Sequence, residues 1–257
     1  MRVRPLRGLA ACALALSVAL LGAPAPARAD DGTVSVQKVG DTVLRLLRLY
    51  SDGGLSPDEI AELVSQVIGA VRGAQSEVIT HMDAIAAAPW LGAARHHILE
   101  FQDIEVFENP ALWNWTQAVS GDADTAFSVF EAVSDRKTAN NLGYAIHTLY
   151  PIALTARTKA GFGTTQMKEN YRQALTAIVN KLMPVCTSSP GELDSHPLIY
   201  QVVHDCRTPD GRRVILQDYK VGGDWVEGPY TAESLLDEAG KNTSWAVAKA
   251  VLQTMAQ

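Results

Sequence analysis

Residues 56–89 read SPDEIAELVSQVIGAVRGAQSEVITHMDAIAAAP, and this stretch decides the fold class. Ser56 can cap the first free amides, Pro57 suits the first helical position, and Glu59 closes a capping box. Ile60, Leu63, Val64, Val67, Ile68, Val71, Val78, Ile79, Met82 and Ile85 then recur at threes and fours, forming one apolar stripe. Pro89 disfavours helical geometry in the residue before it, so the helix is expected to end near Ala88. A rod of that length spans about 45–50 Å, with Gly69 and Gly73 as points of bending.

The same grammar extends on both sides. Upstream, Val36, Val39, Val43, Leu44, Leu47 and Tyr50 outline a first helix, stopped by Asp52-Gly53-Gly54. Downstream, Ala93 to Phe107 reads as a third helix ended by Asn109-Pro110. Pro110 opens a short helix bearing Trp113, and Asp122 or Asp124 is expected to cap another through Val133. Ala139 to Ala160 is apolar and is expected to break or kink at Pro151. The last of the series starts at Thr164 or Thr165, carries Met167, Tyr171, Leu175, Ile178 and Leu182, and halts at Pro184.

At Cys186 the pattern changes. Thr187 to Gly191 has the composition of a loop, whereas Ile199 to Cys206 is rich in valine and aromatics, as strands are. Thr208-Pro209-Asp210-Gly211 fits a type I turn before a second strand, Arg212 to Lys220. Gly222-Gly223 turns the chain toward a short strand around Trp225. Two helices follow, one capped by Thr231 and one running from Thr243 to Met255. The fold class is therefore mainly α: a multi-helix bundle with a small disulfide-braced antiparallel β meander near the C-terminus, α+β overall. Residues 30–185 form the bundle, 186–230 the disulfide loop and meander, and 231–257 C-terminal helices packed on the same unit.

The leader is expected to be removed. Arg2, Arg4 and Arg7, an apolar run from Leu9 to Leu21, and Ala27-Arg28-Ala29 have the order of a secretory signal peptide over residues 1–29. Four of the 22 basic side chains lie there, so 18 face 28 acidic ones afterwards, a net charge of about −10. That balance argues against nucleic acid, which needs a positive face, and disfavours docking on an anionic membrane. Cys12 leaves with the leader. Cys186 and Cys206 remain, and an even count in an exported chain points to a disulfide. The expected compartment is extracellular, and the Arg- and Ala-rich leader is in the style of a bacterial exporter.

Candidate chemistry is sparse. Glu77 and His81 are four apart on the long helix, and His97 and Glu100 three apart on the next, so antiparallel packing could bring two carboxylate–imidazole pairs together as a metal site. The rival reading is solvated helix faces. His204-Asp205 is no dyad, because neighbours on a strand point to opposite faces. His147 reads as a core or interface histidine. Trp90, Trp113 and Trp115 lie near Phe101 and Phe107 and could anchor a ligand or plug the bundle; Trp113 and Trp115, two apart, cannot share one narrow stripe. Nucleophile elbows and phosphate loops are missing from the sequence, and no catalytic residue or cofactor is assigned.

The expectation is a secreted, soluble, non-enzymatic binding or interaction protein whose partner is an extracellular protein or small ligand. Two other readings stand beside it. One is a membrane-active helical protein in the style of pore-forming toxins, using Leu142–Ala156. The other is an extracellular hydrolase or metal-dependent enzyme built on Glu77, His81, His97 and Glu100.

Overall fold

The computed structural model describes residues 31–51, 56–85, 89–192 and 196–256. The expected leader, residues 1–29, and the Asp52-Gly53-Gly54 stop lie outside them. Six helices come first: α1 (Asp31–Ser51), α2 (Pro57–Asp83), α3 (Pro89–Glu100), α4 (Ala111–Ala132), α5 (Arg136–Lys159) and α6 (Thr165–Leu182). Four strands follow, β1 (Val185–Pro190), β2 (Ile199–Arg207), β3 (Arg213–Val221) and β4 (Asp224–Glu227), and then α7 (Ala232–Gly240) and α8 (Ser244–Met255).

The capping box that opens α2 forms as the sequence implies. The Glu59 N–H donates to Ser56 Oγ at 3.3 Å, and the Ser56 N–H donates to Glu59 Oε2 at 2.8 Å. These bonds from Ser56 hold the Glu59 carboxyl below its ordinary range. α2 ends at Asp83, short of Ala88, because Ala84 already returns its N–H to Thr80 and Met82 as the C-cap. α3 begins earlier than expected, at Pro89, and tightens into a 3-10 helix over Phe101–Val106, where Phe101 and Ile104 are buried.

Two expectations about the middle of the bundle are corrected. The short helix around Trp113 and the helix after Asp122 or Asp124 are one helix, α4. Neither aspartate caps anything. Asp122 turns to His97 of α3, and Asp124 accepts the Tyr150 hydroxyl at 2.9 Å and the Asn170 amide at 3.2 Å. Likewise α5 runs through Pro151 without ending. Every residue from 139 to 156 is buried, since α5 is the central rod and touches α1, α2, α4, α6 and α8. A helix apolar on all sides must be enclosed, and that enclosure overrides the proline's preference.

The sheet is antiparallel throughout, in the order β1-β2-β3-β4. It has one more strand than the two or three expected. The serine-rich segment read as a loop is β1, paired to β2 from Val185↔Arg207 to Pro190↔Val202. Cys186 and Cys206 face each other in that register and form the disulfide, with Cα atoms 4.0 Å apart. α7 lies over the base of the sheet. Leu235 and Ala239 pack there on Cys206, Cys186, Val214, Leu216 and Tyr230, in a small core separate from the main one. α8 then returns to the bundle and packs on α6, α1 and α5.

Candidate functional site

Glu77, His81, His97 and Glu100, weighed as a convergent set against solvated helix faces, are held in two separate clusters. His81, on α2, faces α5: its ring stacks on Tyr144 at 3.9 Å between centroids, and Nδ1 lies 2.9 Å from Asn141 Oδ1. Glu77 stands 3.8 Å from the other ring nitrogen. His97, on α3, faces α4: its Nε2 lies 3.4 Å from Asp122 Oδ2, and its ring meets Trp115 edge-on. Burial lowers the His97 pKa and raises that of Asp122, so burial disfavours the charged form of each, against their mutual attraction. Glu100 accepts the Trp115 indole N–H at 2.9 Å and lies 3.0 Å from His96 Nε2. Among the described residues, no group of three or more His, Cys, Asp or Glu side chains is arranged to hold a metal.

The tryptophans divide. Trp115 is 9% exposed and belongs to the core, while Trp113 is 44% exposed and leans on Phe162. Trp90 lies in the first turn of α3, and its side chain is outside the described set. His147 is in the core: its Nε2–H donates to the Ser244 carbonyl at 2.9 Å, and burial drops its pKa to about 4. A cleft of about 510 Å³ opens between Ile60, Ala61, Val64, Glu105, Thr158 and Lys159, walled mainly by α2 and the end of α5. No helix among the described residues is long and apolar enough to cross a membrane.

The chemistry that the sequence did not advertise is on the sheet. Cross-strand partners share a face. One face therefore carries Cys186 and Ser188 of β1, Cys206, His204 and Tyr200 of β2, and Asp218 and Lys220 of β3, with Trp225 of β4 opposite Lys220. Asp205 lies on the other face and pairs with Arg213, whose Nη2 donates at 2.8 Å and whose bonds hold the carboxyl below its ordinary range. On the first face the Ser188 hydroxyl lies 2.8 Å from His204 Nδ1, and His204 Nε2 lies 3.4 Å from Asp218 Oδ2. The other oxygen of Asp218 accepts the Tyr230 N–H at 2.8 Å.

Farther along that face, beyond the cover of α7, the sheet ends in an apolar tip. Tyr200 (45% exposed) and Trp225 (43%) lie there; Leu198 (64%), Val221 and Val226 (66%) are exposed at the same end of the sheet, with Val221 on the opposite face as the partner of Ile199. Tyr200 meets Trp225 edge-on at 5.8 Å, and the Lys220 ammonium lies 5.5 Å from the Trp225 ring centre. The Gly222 N–H donates to the Leu198 carbonyl at 2.8 Å, tying the strand ends together.

The architecture is thus a helical bundle with a central enclosed helix and a disulfide-braced sheet projecting from it. No protein-family profile, curated protein or solved structure matches this chain.

Proposed function

We propose that this is an exported binding protein that engages a partner protein through the tip of its sheet. One observation carries the reading: Tyr200 and Trp225 are exposed and meet edge-on at the end of the sheet, where Leu198, Val221 and Val226 are exposed as well. Clustered exposed apolar surface with aromatic anchors is how partners are held. Tyrosine and tryptophan present much contact area with few rotors to freeze. The disulfide at the base of the sheet supports rigid presentation of that tip, and supports an oxidising compartment. The absence of a long basic surface run and the acidic balance of the chain favour a protein partner over nucleic acid.

A photo-crosslinking amino acid placed at Trp225 tests this. In the extracellular medium of the producing cells it should give discrete adducts that one at Asn180, on exposed α6 surface, does not give. Tyr200→Ala should weaken the yield when the crosslinker stays at 225. Equal crosslinking from both positions, or none from Trp225, refutes the reading.

A further inference from the structure

A second property of the sheet is independent of its tip. Ser188, His204 and Asp218 come from three adjacent strands and follow one another in hydrogen-bonding or ion-pair reach. We propose that Ser188 is an activated nucleophile that takes an acyl group from a small, solvent-borne carboxylic ester, with His204 as its base and Asp218 as the residue that positions the base.

The direction of the proton follows from the surroundings. Asp218 stands on the Nε2 side of the imidazole and is an acceptor only. It favours the tautomer with hydrogen on Nε2, which leaves the lone pair of Nδ1 facing the Ser188 hydroxyl. The ring nitrogens are used in the reverse of their more common order, and the roles are recognised by geometry. His204 Nε2 is buried and makes no hydrogen bond in this structure; at 3.4 Å from Asp218 Oδ2 it stands at ion-pair distance, a gap that a bound substrate must tighten. His204 is 6% exposed and Asp218 8%, so both are shielded, while Ser188 is exposed and reachable.

Asp218 is held in place by more than its own strand. The Tyr230 N–H grips one oxygen, and the Tyr230 ring stands edge-on to His204. Gly228, at φ +76°, passes so close that a Cβ there would lie 2.2 Å from Asp218 Oδ1. Only glycine fits that conformation and that gap. A carboxylate fixed this way keeps its second oxygen turned to the imidazole.

The register also supplies a donor for the developing oxyanion. Antiparallel pairs alternate between bonded and non-bonded. The Gly191 N–H donates to the Gln201 carbonyl at 2.9 Å, so bonded positions on β1 fall at 191, 189 and 187. Ser188 and His204 are then a non-bonded pair, whose side chains approach closely. The backbone N–H of Ser188 points away from β2. β1 is the first strand of the sheet, and no further strand pairs with it among the described residues. That N–H is therefore not used by the β2 ladder and is left to serve a developing oxyanion.

In the step itself, Oγ forms a bond to the ester carbonyl carbon and its proton passes to His204 Nδ1. The carbon–alkoxide bond breaks, and the alkoxide leaves with that proton. Water then attacks the acyl-serine, giving its proton back through His204 and releasing the carboxylic acid.

The test uses the full disulfide-bonded chain and a fluorophosphonate. An activated Oγ displaces fluoride from phosphorus, adding one phosphonyl group per chain. The adduct should map to Ser188 and be absent in Ser188→Ala, which alters an exposed side chain and keeps the fold. Asp218→Asn keeps an acceptor for Tyr230 and should slow labelling at least about tenfold. Nitrogen-15 histidine spectra should show His204 with hydrogen on Nε2 in the wild type and lose that preference in Asp218→Asn, a signature that a bracing role alone would not move. Trp225→Ala should label at the wild-type rate, which separates this proposal from the binding reading. No adduct at millimolar probe, or an adduct that persists in Ser188→Ala, overturns it.

Discussion

Replacing Gly143 by alanine should destabilise this protein, against the ordinary expectation for a helix interior. Alanine is favoured over glycine there by about 1 kcal/mol. At Gly143 of α5, however, a Cβ would lie 2.3 Å from Ser244 Oγ and 2.6 Å from Ser244 Cβ. Both separations are about 1 Å or more short of an ordinary contact of about 3.5–4 Å. α5 cannot recede, because other helices press on it from the remaining sides, so the start of α8 must move. That movement strains three bonds: Ser244 N–H and Oγ to Asn140 Oδ1, at 3.0 and 3.1 Å, and His147 Nε2 to the Ser244 carbonyl. Overpacking costs about 1–3 kcal/mol, and disturbing buried polar partners about 1–3 kcal/mol more. After the propensity gain, the net loss is about 1–5 kcal/mol, centred on about 3. At that centre the melting midpoint should fall by roughly 6–12 °C for a chain of this size. Urea denaturation followed by circular dichroism measures the loss. Gly69→Ala and Gly121→Ala, whose Cβ positions meet nothing within 4 Å, should be neutral or gain up to about 1 kcal/mol. Ser244→Gly should relieve most of the penalty in the double variant. A Gly143→Ala protein as stable as the wild type would refute the close approach of α5 and α8.

Two further outcomes follow from the buried histidine and the disulfide. His147 has its pKa depressed to about 4 from an ordinary 6.5, so its neutral form is the folded one; its contribution is complete above pH 6.5 and drains away as pH falls toward 4. The loss is about 1.4 kcal/mol per pH unit across that window, and His147→Gln should flatten it in a stability-versus-pH series. Cys186→Ser with Cys206→Ser opens a loop with a sequence separation of 20; it should lower stability by about 3 kcal/mol in the chain-entropy picture, with fluorescence of Trp225 reporting loosening of the sheet before the far-ultraviolet helix signal changes.

Much of the helical architecture was legible because its signals are local. The capping residues Ser56 and Thr231 act within four residues of themselves, and the apolar stripe of α2 needs no partner to be seen. The errors have a common cause, which is that the deciding contact lies far along the chain. Thr187-Ser188-Ser189 has loop composition and becomes a strand only because β2 pairs with it. Pro151 stays helical because its neighbours enclose it. Whether His81 and His97 could meet was open in the sequence, because α2 turns the one to Asn141 and α4 receives the other at Asp122. The Ser188–His204–Asp218 row was within reach of the sequence. Once Cys186 is bonded to Cys206, antiparallel counting puts Ser188 opposite His204. His204 and Asp205 alternate faces of β2, and the neighbours of His204 on its own face come from the adjoining strands.

The position of α8 sets the order in which the molecule can be assembled. Thr254 reaches back to Asp41, 213 residues earlier, and the Arg48 guanidinium takes a carbonyl from the same turn. Closing so long a circuit costs on the order of 5 kcal/mol of chain entropy before any of it is recovered by contact. Until α8 has been made and folded back, one flank of α5, with its asparagines and histidine, has no wall. Chains that lack it are therefore unsealed, and truncation at Thr243 should yield material that clumps in place of a smaller stable bundle.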